Sequence, residues 1–309
     1  MPLRRRRTRR TARARRYPRR YRKTPARRLR SARRMPAKRY SRRRILNVSS
    51  IKKRDNMMSA VAVPGEGRPT LGPLTTNTGF TSLFIPTART LAPANDMGDT
   101  MRQRQTTYSV GYKERVQVDI IGGGVWKWRR VVFAYKGGDS LWSGGEFPGQ
   151  WTEPYFSKSV KPDPDDPLPI APDMTRLIGQ PHSDQADMIR GLLWDGHQGV
   201  DWSSEYTAKV DTTRVRLLSD KTYVFNPGNE SGMSRTFRLW YPIRRNIVYD
   251  DEEWGASAFA RGSPLSVQSN AGFGDVYVYD IAYCVVPSSG SVAAQMQFSP
   301  EGTYYWHER

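Results

Sequence analysis

In a chain of 309 residues carrying a formal net charge of +21, 26 of the 50 Lys and Arg side chains fall within residues 1–54, which contain no Asp or Glu. Residues 55–309 are therefore slightly acidic, with 24 basic against 29 acidic side chains. A single cysteine excludes an internal disulfide framework and fits a reducing compartment, while no charge-free run has bilayer-spanning length and no secretory pattern precedes the arginines.

The opening segment cannot fold on its own. From Met1 to Arg44 its only sizeable side chains besides Arg and Lys are Leu3, Tyr17, Tyr21, Leu29, Met35 and Tyr40, too little apolar surface to offset the entropy of ordering. Its cations repel one another until a polyanion neutralises them and releases counterions. Arginine dominates, and its planar guanidinium grips phosphate bidentately and stacks on bases. Residues 1–54 thus read as a disordered nucleic-acid-binding arm. Its candidate contacts are Arg4, Arg5, Arg6, Arg7, Arg9, Arg10, Arg13, Arg15, Arg16, Arg19, Arg20, Arg22, Arg42, Arg43, Arg44, Lys52, Lys53 and Arg54. Nuclear import is a compatible second use of the same clusters. A mitochondrial presequence is disfavoured by the weak amphipathic pattern, and a membrane-surface segment is the blander alternative.

Residues 55–107 follow as an extended connector, because Met57 to Met101 is rich in Pro, Gly, Thr and Ala and holds neither period for long. Strand signals begin near Tyr108. Val116, Val118 and Ile120 alternate with Arg115, Gln117 and Asp119, and Gly122-Gly123-Gly124 then predicts a hairpin into Val125–Tyr135. Further strands are expected at Met188–Trp194, Thr207–Leu218, Thr222–Asn226, Thr236–Tyr249, Asp275–Pro287 and Ala293–Phe298. Phe237, Leu239, Tyr241 and Ile243 share one face, and Val276–Val286 is apolar on both faces, as a covered central strand would be. Only a turn or two near Asp184–Arg190 and Asp251–Ala260 suggests helix. The proline-rich stretch Lys161–Pro169 reads as a surface loop. About eight strands between Pro- and Gly-bearing loops predict an all-β antiparallel sandwich, a single eight-stranded jelly roll over residues 108–309.

The chemistry expected is binding rather than catalysis. Neither a phosphate loop nor a nucleophile elbow occurs, and Cys284 lies in the apolar strand. His182 and His197 have aspartates nearby but lack zinc-ligand spacing, Asp163, Asp165, Asp166 and Asp173 lack the spacing of a calcium loop, and Asp250-Asp251-Glu252-Glu253 reads as a charged turn. No catalytic residue, metal ligand or cofactor is assigned. Trp126, Lys127, Trp128, Arg129 and Arg130 interleave aromatics with cations, as single-strand binding surfaces do. The other reading of that cluster is a strand whose tryptophans fill the core or a subunit contact while the cations face solvent.

Whole segments in matching order resemble one family. The Arg-rich opening, Asn47-Val-Ser-Ser-Ile-Lys-Lys-Arg-Asp55, the run Phe237–Glu253, Gly274–Ile281 and the ending Tyr304-Tyr-Trp-His-Glu-Arg309 are similar to genomovirus capsid proteins of the gemycircularvirus type, distant relatives of geminivirus coat proteins. The resemblance implies a jelly-roll subunit that self-assembles, in about sixty copies, into a T=1 icosahedral virion around circular single-stranded DNA. It also implies assembly in the host nucleus after passage through the import machinery, with no membrane insertion. The residues alone leave open a cellular chromatin- or ribosome-like binding protein that does not self-assemble.

Overall fold

The computed structural model describes residues 42–62, 70–89, 91–92, 100–137, 175–181, 183–228, 232–254, 257–287 and 293–309. By contacts the chain divides after Ile45 into two units, and the second, Leu46–Arg309, holds the sheets.

In chain order the elements are α1 (Arg42–Ser49), β1 (Ile51–Met57), β2 (Ser59–Ala62), β3 (Thr70–Leu71), β4 (Leu74–Thr76), β5 (Gly79–Phe84), β6 (Thr106–Ile121), β7 (Val125–Tyr135) and β8 (Arg176–Gly179). They continue as α2 (Ser183–Leu193), β9 (Arg216–Phe225), β10 (Met233–Trp254), β11 (Ser257–Ser266), β12 (Asp275–Val286) and β13 (Gln295–Glu308). One sheet runs β1-β13-β6-β10-β11, with β4 also on β13; a second runs β5-β12-β7-β9; β3-β2-β8 form a small third. Setting aside β2, β3, β4, β8 and β11, the chain threads β1, β6, β10 and β13 through one sheet and β5, β7, β9 and β12 through the other. That interleaving is the jelly roll.

Alternation explains the sandwich. On β6 the odd positions 113, 115 and 117 are exposed while Glu114, Val116 and Val118 are buried. Val116, Val118 and Ile120 meet Trp126, Trp128, Phe225, Met296 and Phe298 in one core cluster between the sheets. β12 is buried on both sides, as its apolar pattern predicts, because each face has its own cover. Val276 and Val278 pack into the sandwich interior. Tyr277, Tyr279 and Ile281 pack outward against Ile189, Leu193, Trp194, Ala208 and Val210. The cover is α2 and the segment after it. Asp184 in the first turn of α2 and Arg190 in its last complement the helix dipole, and Arg190 also donates to Glu205 (2.7 Å), which accepts from the Tyr279 hydroxyl (2.9 Å).

Several expectations change. The Gly122–Gly124 turn does not close a hairpin: β6 pairs with β10 and β13, and β7 with β12 and β9. The chain arches from one sheet to the other, with Gly122 at φ 67° and Gly124 at φ 102°, so that both apolar faces meet across the core instead of lying side by side. The stretch 55–107 is more than a connector, since it supplies β2–β5, and β5 fills an edge of the second sheet through its pairing with β12. The arm's boundary also moves. Residues 42–49 are helical and β1 pairs along its whole length with β13, so the ordered unit starts well before residue 55. Met188–Trp194 is largely helix, Thr222–Phe225 joins Arg216–Ser219 in one strand, and Asp251–Trp254 and Ser257–Ala260 are strand rather than helix. β13 continues past Phe298 to Glu308, its buried positions running through Pro300 and Gly302 to Tyr304 and Trp306. The loop Lys161–Pro169 lies outside the described residues.

Candidate nucleic-acid interface

The arm's candidates Arg4 to Arg22 lie outside the described residues, and for Arg42, Arg43 and Arg44 only their place in the helix α1 is described. β1 carries the last three. Lys52 and Arg54 are exposed on it, whereas Lys53 points inward, donates to the Met101 carbonyl (2.8 Å) and sits 3.5 Å from the Glu308 carboxylate. Strand parity takes Lys53 out of any polyanion's reach and leaves its two neighbours available.

The cluster at 126–130 is corrected more fully. Trp126, Trp128, Arg129 and Arg130 are buried and only Lys127 is partly exposed. Trp128 stacks on Tyr223 and meets Phe237 and Phe298 edge-on. The tryptophans are core, as the other reading has it, but the arginines do not turn to solvent.

Arg130 enters a closed ionic quartet in the sandwich interior. Its guanidinium reaches Asp280 through two hydrogen bonds (2.6 and 2.8 Å) and also Glu114. Arg176, brought in on β8, donates to Glu114 (2.7 Å) and Asp280 (2.8 Å) as well. The Trp128 indole N–H and the Tyr112 hydroxyl complete the shell, at 2.9 Å to Asp280 and 3.1 Å to Glu114. Burial alone would raise the Asp280 carboxyl, but Arg130 and Arg176 outweigh it and hold the group below its ordinary value. Burial and the Glu114 carboxylate push the Tyr112 phenol well up. With two cations and two anions fully paired, the quartet joins β6, β7, β8 and β12 and offers nothing to a ligand.

On the second sheet's outer side, Arg129 pairs with Asp220 (3.0 and 2.6 Å), donates to the Ala208 carbonyl (2.9 Å) and lies over Trp194. Asp251 belongs to no charged turn: it accepts both ends of the buried Arg102 guanidinium (2.5 and 2.7 Å).

The open face of the first sheet presents a different set. In one cross-strand row Asn56, Thr303, Lys113 and Trp240 are neighbours; in the next, Glu301, Arg115 and Arg238. On the other side Arg54 stands opposite Tyr305, which is opposite Gly111. A Cβ at Gly111 would lie 2.7 Å from the Trp240 ring. The glycine lets the indole lie across its strand and meet Tyr305 edge-on at 5.9 Å between centroids. Trp240 nevertheless remains 45% exposed. Further along, His307 sits 6.0 Å from Tyr108 and opposite Lys52; burial first, then Lys52, keeps its imidazole below the ordinary value. The signal for this face was in the sequence, as the complement of the apolar sets Val116/Val118/Ile120 and Phe237/Leu239/Tyr241.

Chemistry of other kinds finds little support among the described residues. No group of three or more His, Cys, Asp or Glu is placed there to hold a metal ion. Asp201 accepts from the His197 backbone N–H (2.7 Å) and Asp195 pairs with Lys209 (2.8 Å). His182, Asp163, Asp165, Asp166 and Asp173 lie outside the described residues. Cys284 is half-buried, its thiol donating to the Val286 carbonyl (3.3 Å), and burial raises its pKa. No described helix is long and apolar enough to cross a membrane.

No family model and no curated protein matches the chain. Among solved structures it is similar to the Human Polyomavirus 6 VP1 pentamer, at 10% identity over 82% of this chain and 92% of that one, with a TM-score of 0.22. It is also similar to an unassembled Washington University Polyomavirus VP1 pentamer, at 10% identity over 84% and 93%, with a TM-score of 0.16. The jelly-roll assignment rests on the strand order and not on these likenesses.

Proposed function

We propose that this chain is a viral capsid protein that assembles into an icosahedral shell and packages circular single-stranded DNA by charge neutralisation through its arm. The observation that carries the reading is the joining of two unlike parts in one chain: an acid-free segment with 26 cations, and a jelly roll whose buried cations, among the described residues, are paired with its own carboxylates. A folded unit that needs no polyanion for its stability, tethered to a segment that repels itself without one, suits a container and its contents.

Magnitudes agree with this. Sixty copies would bring roughly 1,600 arm charges inside a shell, enough to neutralise most of a strand on the order of 2,000 nucleotides at one phosphate each. Such contacts position nucleic acid without reading sequence. Assembly draws support from β9, which ends the second sheet and, among the described residues, exposes Leu217 and Val224 beside an unpaired strand edge. The segment resemblance to genomovirus capsid proteins supports the finer identification, with virion and host nucleus as the locations and import machinery as a transient partner of the arm.

Negative-stain electron microscopy of the purified full chain, with extraction of nuclease-protected nucleic acid from the same sample, tests the proposal. Uniform closed shells holding protected single-stranded DNA are expected. A DNA-coated monomer or small oligomer would contradict it and favour a nucleic-acid binder that does not self-assemble.

A further inference from the structure

We propose that the open face of the six-stranded sheet is a second nucleic-acid site, distinct from the arm, on which unpaired bases stack against Trp240 and Tyr305 while Arg54, Lys113, Arg115 and Arg238 hold the adjoining phosphates. The inference rests on the packaging function proposed above and adds a folded contact to it.

Three observations point the same way. First, a large indole is left 45% exposed on β10, where that strand pairs with β6 alone, and it is held in place by Gly111 and by its edge contact with Tyr305. A ring that is positioned but uncovered resembles the stacking platforms that bind single strands, where any base offers a π-face. Second, the cations surround the rings. Arg54 is the direct cross-strand neighbour of Tyr305 and Lys113 that of Trp240; Arg238 and Arg115 are two residues along from Trp240 and Lys113. Those steps are roughly 5 Å across strands and 7 Å along them. Third, Arg115 and Arg238 stand directly opposite one another, a like-charge pairing that disfavours the sheet by itself. Glu301, opposite Arg115 on its other side, leaves the row with a net positive charge. An anion lying over the row relieves the repulsion.

The chemistry selects single strands over duplex. Bases stacked within a helix show only their edges, and a stacking ring needs an open base face. The interior arginines make the contrast clear, since each of them already has its carboxylates.

Photo-crosslinking of the full chain to a single-stranded DNA oligonucleotide carrying 5-iodouracil, with the modified peptides mapped by mass spectrometry, tests the site without altering the protein. Crosslinks at Trp240 and Tyr305 are expected, and are expected to disappear with the same oligonucleotide in duplex form. Crosslinks confined to Tyr17, Tyr21 and Tyr40 of the arm would overturn the second site and leave the packaging function standing. A chain that binds no DNA at all would overturn both.

Variants give a second readout by oligothymidylate titration at several salt concentrations. Trp240→Ala with Tyr305→Ala is expected to weaken binding about tenfold to a hundredfold at nearly constant salt slope. Arg115→Gln with Arg238→Gln is expected to reduce the slope by about 1.4. If instead the aromatic variants disturb assembly while crosslinking and affinity stay unchanged, the face is a contact between subunits and the proposal fails. Trp240→Phe, which keeps a ring on Gly111, should retain most of the binding and separates loss of stacking from loss of fold.

Discussion

β6 carries Glu114 and Arg115 side by side, and the two could hardly have more different surroundings. Glu114 points into the sandwich, where Arg130 and Arg176 close on it, while Arg115 points out to a face where its neighbour on β10 is another arginine. The same contrast separates Trp128, packed among three aromatic rings, from Trp240, laid across a glycine in the open. Pleat parity, more than residue type, decides whether an arginine or a tryptophan in this chain serves the fold or remains available to a partner.

The largest effect should come from unbalancing the interior. Asp280→Ala leaves Arg130 and Arg176 short of a shared carboxylate in a dry core, and a loss of about 3–5 kcal/mol is expected in urea denaturation. Trp128→Ala should cost a similar amount, about 3–5 kcal/mol, through the cavity and the lost indole donor to Asp280. Trp240→Ala is the counterpart on the open face, expected to change stability by less than about 1 kcal/mol. Equal losses for the two tryptophans would mean that the open face supports the fold as much as the interior does.

Acid should reveal the quartet as well. The folded Asp280 carboxyl is held below the unfolded value of 3.8, so the unfolded chain takes up the proton first. The stability it contributes is present above that value and is lost as pH falls through the lower folded one. A denaturation series from neutral pH down to about pH 3 should show stability falling at the acid end, with that part of the slope missing in Asp280→Asn. The smallest effect belongs to Arg115→Gln: within about 0.5 kcal/mol, because its like-charge neighbour Arg238 and its opposite-charge neighbour Glu301 offset one another.

Long, regular strands are legible in the residue pattern itself. The alternation of β6, the shared face of Phe237, Leu239, Tyr241 and Ile243, and the double-sided burial of β12 all follow from side-chain period and cover. Short strands are not legible, because β2 to β5 hold two to six residues each and sit among the Gly, Pro and Thr that usually mark loops. Pro300, Glu301 and Gly302 disguise the middle of β13 in the same way. The glycines after β6 specify a turn but not its partner sheet, since an arch and a hairpin share local chemistry and differ only in where the strands pair. The arginines of β7 mislead for a physical reason: a cation run next to tryptophans resembles a binding surface until the carboxylates that neutralise it, Glu114, Asp220 and Asp280, arrive from three other strands. No local pattern announces partners 16, 91 and 150 residues away.

In the proposed function the folded unit builds the container and the arm fills it. Deleting residues 1–44 and measuring nuclease-protected nucleotides per subunit in whatever particles form tests this most directly. The truncated chain is expected to stay folded, because the sheets lie within Leu46–Arg309, yet to assemble poorly around DNA or to protect only a small fraction of what the full chain protects. Particles of the truncated chain with a normal DNA content would show that the arm does not package the DNA.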